Sequence, residues 1–573
     1  MIKKTIILLI GMLFWAEFTS AQMQHYYKSR DEFVLNDASI SLGITTTKDT
    51  SYIAFGAMRL PSVFETYGAL LKYNKFFVPN DTFYLKIDSS YLELKNVFEL
   101  PKGYLAVGHV IRDGEINRFN PYLIRLNKYL DTVWTKKIVF GQDTLPFVSQ
   151  VIMCHDSTLV IGGSVTKDSV FDDPDIMFLR IDTLGKVLNY KKLGFLNIPD
   201  DCWSITQTLD KGFALGGYTT FGHPLPYYQY HIIFKLDSLG NQQWYRKWGR
   251  NDASNGVCGV LNLKDSTILI STARATQAGL DPTLNRISNL QKITYDNTVV
   301  WNYDYGSVGN YYTKNIFVGV QREDSTILCI RHESDMSYPI FQLINNNGNV
   351  VWERNYKFIN GDHIYYHVGV SNVKSDDGFA LSGFLQPCFG CGDTGTQDIF
   401  VIKTNCIGWA DPPFANATTG SLDNFEVILE NNSMYFGNVY INWGDGSADT
   451  LYENSDTLIY HTYPSAGNFS ATVIAEACGD ADTMQLNVVS SLVGVEEYEK
   501  PKFRVYPNPA NEVLFIQMEN SVTHYEIILT DISGKIIFRK ENVKQIDVSD
   551  FSKGIYFINI PELGQTEKIQ IIK

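Results

Sequence analysis

Short apolar runs, each introduced by a polar turn, recur along most of this chain. They read "DTSYIAFGA" (49–57), "PKGYLAVGH" (101–109), "DSTLVIGG" (156–163), "DKGFALGG" (210–217), "DSTILIST" (265–272), "DSTILCIR" (324–331) and "DDGFALSG" (376–383). Runs of this length, rich in β-branched and aromatic residues and bounded by Gly, Asp and Ser, predict strands. Spacing aligns Gly56, Gly108, Gly162, Gly216, Ser271, Ile330 and Ser382, at steps of 52 to 59 residues.

A second series runs in phase with the first: "PYLIRLNKYLDTVW", "IMFLRIDTLGKVLN", "IIFKLDSLGNQQW", "QKITYDNTVVW" and "FQLINNNGNVVW". Asn, Asp and Gly tolerate the positive φ of tight hairpin turns, so each copy predicts strand, turn, strand. Trp134, Trp244, Trp301 and Trp352 follow the turns and offer large apolar bodies to a neighbouring repeat. Each repeat thus holds four short strands, and a period of about 50 residues built only of strands predicts a β-propeller. Seven blades fit within residues 22–409. The seventh repeat stops at "DIFVIKTNCIGW", so "SRDEFVLND" (29–37) is expected to supply its missing strand and close the ring. The "LDSLGNQQWYRKWG" copy resembles secreted propellers of Bacteroidota. The L-D-x-x-G-x-x-x-W pattern is similar to blades of quinoprotein-like propellers, and the paired glycines are similar to kelch repeats.

Two smaller blocks follow. "VYINWGDGSADTLYENSDTLIYHTYPSAGNFSATVIA" (439–475), with Trp443-Gly444-Asp445-Gly446 and His461-Thr462-Tyr463, resembles a PKD domain over 410–490. That resemblance implies an immunoglobulin-like β-sandwich in which His461 is structural. A charged linker is expected over 491–502. Tyr506-Pro507-Asn508-Pro509-Ala510, "LTDISGKIIF" (529–538), "DVSDFSKGIYFINI" (547–560) and the terminal "KIQIIK" resemble the type A C-terminal sorting domain of the type IX secretion system, over 503–573. The resemblance implies a second immunoglobulin-like sandwich, the type IX secretion machinery as partner, passage through the periplasm and outer membrane, and cleavage in the 494–502 segment.

The N-terminus fits that itinerary. Two lysines, an apolar run from Thr5 to Trp15 and Thr19-Ser20-Ala21 before Gln22 read as a signal peptide, residues 1–21, cut between Ala21 and Gln22. The run is shorter than the roughly 18 to 20 residues a spanning helix needs, and no later segment reaches that length. Eight cysteines in an exported chain permit disulfides. Cys388 and Cys391 in "QPCFGCGDTG" read as a local disulfide or loop clasp, Cys406 and Cys478 could pair across the second block, and Cys154, Cys202, Cys258 and Cys329 read as buried thiols.

The formal net charge of -14 excludes a nucleic-acid backbone as partner, which needs clustered Lys and Arg. No H-E-x-x-H, G-x-S-x-G or phosphate loop is present. Asp172, Asp173 and Asp175 in "FDDPDI" are oxygen ligands of the kind calcium takes, without its usual spacing. His363 and His367 in "GDHIYYHVG" read as strand-surface residues, and no other cofactor is expected. The recurring "DST" (156, 265, 324) reads as hairpin turn; Asp-Ser/Thr is also an acceptor pattern for Bacteroidota O-glycosylation. No catalytic set is legible. The chain reads as an exported or surface adhesion-type protein whose long aromatic loops, 221–231 and 307–315, meet a glycan or protein ligand. The alternative is an extracellular hydrolase or lyase acting on polysaccharide.

Overall fold

The computed structural model describes residues 27–31 and 38–572, apart from 60–65, 75–78, 86–89, 113–118, 142–143, 167–173, 197, 223–228, 254–257, 277–285, 310–315, 332–339, 357–362, 365–368, 374–376, 387–397, 423, 449, 454–456, 492–502 and 519–523. The described chain is all-β, with one 3-10 turn at Pro561–Leu563 and no α-helix.

Antiparallel meanders fill the described residues up to Lys403. Sheet A comprises Ala38–Thr46, Tyr52–Arg59, Thr66–Tyr73 and Pro79–Leu85. Sheet B comprises Ser90–Leu100, Gly103–Arg112, Asn120–Leu126 and Thr132–Lys137, joined to A by the single parallel pair Thr66 and Tyr91. Sheet C runs through Leu145–Met153, Leu159–Thr166, Asp175–Ile181 and Val187–Leu193. Asp200–Gln207, Phe213–Thr219, Tyr230–Leu236 and Gln242–Trp248 form sheet D. Sheet E holds Cys258–Asn262, Thr267–Ala275, Arg286–Thr294 and Val299–Gly309; sheet F holds Ile316–Gln321, Ile327–Arg331, Ile340–Ile344 and Val350–Asn355. Sheet G takes Gly369–Val373, Gly378–Gln386 and Asp398–Lys403, with the short His363–Ile364 strand beside them and Tyr27–Asp31 as its outer strand. That outer strand pairs Tyr27 with Lys403 and Asp31 with Ile399. It overlaps the expected 29–37 segment only at its start, and 32–37 lie outside the described residues.

Each sheet is buried on both faces. In sheet B, Ala106 and Ile124 join Ile53, Phe55 and Leu70 of sheet A, while Leu105, Val107 and Leu123 join Val148, Val151 and Ile161 of sheet C. Equivalent cores join C to D, D to E, E to F and F to G. Val373, Ala380 and Val401 of sheet G then pack on Ile44, Ala54 and Leu71 of sheet A, so the circuit closes. Double-sided burial is why the second strands read as continuous apolar runs rather than as an alternation.

The repeated turn is locked by its own side chain. The Asp237 carboxylate accepts the N–H of Leu239 at 2.9 Å and of Asn241 at 2.8 Å, and Gly240 takes φ 76°. Asn127, Asp182, Asn345 and Asn405 repeat the bonds. The tryptophans after these turns reach the next sheet's turn: Trp244 Nε1 donates to the Tyr295 carbonyl at 2.8 Å and Trp301 Nε1 to the Asn346 carbonyl at 3.1 Å. Four residues on, Tyr305 and Tyr356 donate to the carbonyls of Gly348 and Gly408, both at 2.6 Å.

The glycines hold a correction. Strand pairing sets Gly56, Gly108, Gly163, Gly217 and Cys329 at the same place, opposite Ser41, Leu94, Val148, Cys202 and Val318. Spacing had aligned Gly162, Gly216 and Ile330, one residue off. A Cβ at Gly163 would sit 1.9 Å from the Phe147 carbonyl oxygen, and one at Gly217 1.8 Å from that of Asp201. The bulged strand opposite pushes its backbone into that space.

Two further units follow. Ala417–Ser421, Glu426–Asn431 and Leu458–Thr462 face Thr450–Glu453, Asn438–Asn442, Gly467–Ala477 and Asp480–Ser490 across a core centred on Trp443. Phe503–Tyr506, Val513–Met518 and Gln545–Asp547 face Ile536–Glu541, Glu526–Asp531, Gly554–Ile560 and Gln565–Ile571 across a second core. A disulfide joins Cys406, in the turn after sheet G, to Cys478, in the hairpin between Gly467–Ala477 and Asp480–Ser490. Beside it Trp409 packs edge-on to Tyr435, with the Arg354 guanidinium 3.9 Å from its ring centre.

Candidate functional site

The meanders have two unlike edges. First-to-second and third-to-fourth turns leave one edge as tight hairpins such as 154–158, 208–212, 127–131, 182–186 and 237–241. Second-to-third connections leave the other edge and are longer: 113–119, 167–174, 220–229, 276–285, 332–339 and 387–397. The "DST" triplets sit on the tight edge as turns. The Asp324 carboxylate accepts the Thr326 N–H at 2.9 Å and hydroxyl at 2.6 Å, and Ser325 takes φ 69°.

Towards the long-connection edge, the leading strands of sheets B and D carry buried ionisable groups. Glu93 lies 2.8 Å from Lys95 Nζ and 2.9 Å from His109 Nε2, and accepts the Tyr91 hydroxyl at 3.0 Å. Burial would raise the Glu93 carboxyl, but the His109 imidazole and Lys95 ammonium hold it well below the usual carboxylate range. Burial pushes the His109 imidazole down, against the pull of the neighbouring Glu93 carboxylate. Phe119 and Phe147 close around His109 at ring separations of 4.9 and 5.4 Å. In sheet D, burial pushes the Asp201 carboxyl up to about 6, against hydrogen bonds from the Ser164 hydroxyl, the Cys202 N–H and the Trp203 side chain.

Of the residues singled out by sequence, Ala21, Gln22, Cys388, Cys391, Asp172, Asp173 and His367 lie outside the described residues, as does the linker segment 494–502. Asp175 opens its strand with Lys192 Nζ 3.7 Å away, and His363 pairs with Gln386 at the rim of sheet G. Among the described residues no three His, Cys, Asp or Glu side chains gather as metal ligands. Cys154, Cys202, Cys258 and Cys329 are buried free thiols, and burial pushes Cys258 up to about 12. His461 lies flat on Trp443 at 4.4 Å, with Nε2 2.7 Å from Asp445 Oδ2, wedged into the core. Spacing missed the Glu93 cluster and Asp201. Their only trace was polar residues inside strand-like runs, "SYLELKN" (90–96) and "DDCWS" (200–204).

In the last unit the YPNPA block docks on the final strand. Asn508 Nδ2 donates to the Lys568 carbonyl at 2.8 Å, and its Oδ1 accepts the Gln570 N–H at 2.9 Å. Ala510 N–H donates to the Gln570 carbonyl and Ile572 N–H to the Ala510 carbonyl, both at 2.8 Å. The first and last sequence blocks of this unit therefore form one hydrogen-bonded seam.

No curated protein matches the chain. Among solved structures it is similar to a fungal alcohol oxidase in complex with copper, at 10% identity, 81% of this chain and 99% of the other, TM-score 0.41. It is also similar to the β-propeller domain of the Trilobed protease of Pyrococcus furiosus (10%, 64% and 94%, 0.33) and to an α-L-arabinofuranosidase of Fusarium graminearum (9%, 66% and 97%, 0.36). Residues 504–573 match the family described as secretion system C-terminal sorting domain. Among the described residues no helix is long and apolar enough to cross a membrane. The chain carries the sorting domain of the type IX secretion system and is exported, to the cell surface or beyond it.

Proposed function

We propose that sheets A to G are the seven blades of a β-propeller within 22–409, and that its long-connection face is the binding surface of an adhesion-type protein for glycan or protein. The unlike edges carry this reading. Tight turns pinned by Asp and Asn side chains make one face uniform, whereas connections such as 113–119 and 276–285 vary in length and sequence on the other, where recognition is usually placed on a rigid scaffold. Residues 410–490 form a PKD-like, immunoglobulin-like spacer, 491–502 a linker, and 503–573 the immunoglobulin-like sorting domain. Signal cleavage falls between Ala21 and Gln22, and Cys388 with Cys391 clasps the 387–397 connection.

Binding screens on the secreted protein test the reading. Replacing Tyr227 and Tyr228 by Ala should weaken capture of the ligand, while Leu239→Ser on the tight edge should not; equal loss from both would refute it. A second reading, a polysaccharide hydrolase or lyase, needs a carboxyl held protonated as general acid, and burial raises Asp201 towards that role at the long-connection end of sheet D. Turnover abolished by Asp201→Asn would select it.

A further inference from the structure

Five leading strands share one irregularity. Pairing with the second strand skips a residue between Ser41 and Gly43, Leu94 and Asn96, Val148 and Gln150, Cys202 and Ser204, and Val318 and Val320. Leu42, Lys95, Ser149, Trp203 and Gly319 are the extra residues. A bulge bends its strand and re-aims the inserted side chain, which is why bulges gather near functional sites. Sheets B, C and D set three of these insertions side by side, because the residue after each bulge reaches the next leading strand. Asn96 Nδ2 donates to the Val151 carbonyl at 3.0 Å, and the Ile205 N–H donates to Gln150 Oε1 at 2.7 Å.

Trp203 stands out among them. It is 47% exposed, in a strand whose Cys202 and Ile205 are fully buried. Leaving a large aromatic side chain half in water forgoes on the order of 1 kcal/mol of burial. Its backbone is fixed on both sides, Cys202 pairing with Gly217 and Ser204 with Gly216. An aromatic side chain on a backbone already in place loses less entropy on binding than one on a loop that must order. On the leading strand of the neighbouring sheet C stands the Ser149 hydroxyl, and on that of sheet B beyond it Lys95, paired to Glu93 at 2.8 Å. A ligand carrying hydroxyls can hydrogen-bond the Ser149 hydroxyl, whereas a wholly apolar one cannot. A pyranose ring presents an apolar C–H face to the indole and hydroxyls to the polar neighbours.

We propose that Trp203 is the stacking platform of a saccharide subsite on the leading strands of sheets B, C and D, with Ser149 and Lys95 as the inserted residues of the two strands before it. The proposal rests on the binding-face reading and names its ligand class and site. Its test uses the full-length secreted protein against a panel of soluble polysaccharides in affinity electrophoresis, with calorimetry on any that retard it. Trp203→Ala should weaken binding roughly thirtyfold, the scale of a central aromatic truncation. Trp203→Tyr, which keeps a flat ring, should retain most of the affinity. Wild-type affinity in Trp203→Ala, with a glycan still bound, would overturn the subsite while the binding face stands. Capture of a protein ligand with no glycan retained would overturn the ligand class, and absence of any ligand would overturn both.

Discussion

Replacing Cys406 and Cys478 together by serine removes the covalent tie between the turn after sheet G and the following unit. The cross-link spans a sequence separation of 72 residues. The chain-entropy relation gives about 3 kcal/mol for a 15-residue loop and about 4.7 for a 100-residue loop at 25 °C, and so about 4.4 kcal/mol here. The tie acts mainly on the open state of 410–490, whose loop-closure entropy it removes. With a urea dependence of about 2 kcal/mol per molar, the midpoint for opening that unit should fall by about 2 M. Peptide-level hydrogen exchange across Gly467–Ser490 in a urea series reads the unit separately from sheets A to G. Identical midpoints for the double variant and a wild type whose cross-link is verified by mass would refute the reasoning.

Gly217→Ala places a Cβ 1.8 Å from the Asp201 carbonyl oxygen, so it should cost about 3 kcal/mol or more, whereas Gly446→Ala, with nothing within 4 Å but φ 85°, should cost only about 1; thermal melts compare them. Burial would raise the Asp445 carboxyl, but hydrogen bonds from Ser447 and the His461 ring hold it at about 2, below its ordinary 3.8. Its contribution is therefore present above about pH 4 and lost as pH falls from 4 towards 2. In pH-dependent melts, the Asp445→Asn variant should show a shallower acid loss over that window. Asn508→Ala removes both bonds to the final strand and should trap the protein inside the cell envelope, read by fractionation of the host.

The apolar runs and Asx turns made the repeat legible, because each encodes its own local geometry: Asp237 bonds within five residues of itself. The Gly-Gly pairs misled by one residue for a physical reason. Both glycines are sterically required, Gly216 by Cys258 of the next sheet and Gly217 by Asp201 of its own, and only the bulge decides which aligns with Gly108. Bulges depend on two strands brought together, so neither Trp203's re-aimed side chain nor the Glu93, Lys95 and His109 cluster leaves a spacing to read. The sorting unit was legible for the opposite reason, since Asn508 and the last strand are both short, distinctive blocks. The Cys406 and Cys478 bond was one of several pairings the count of cysteines allowed.

The strand Tyr27–Asp31 completes a sheet whose other members come from residues 363–403. The earliest piece of the circuit therefore waits for the latest, whatever order the intervening sheets adopt. Until residues 398–403 lie on the same side of a membrane as Tyr27–Asp31, sheet G lacks its outer strand and the circuit stays open, so removing either short segment leaves the same sheet incomplete.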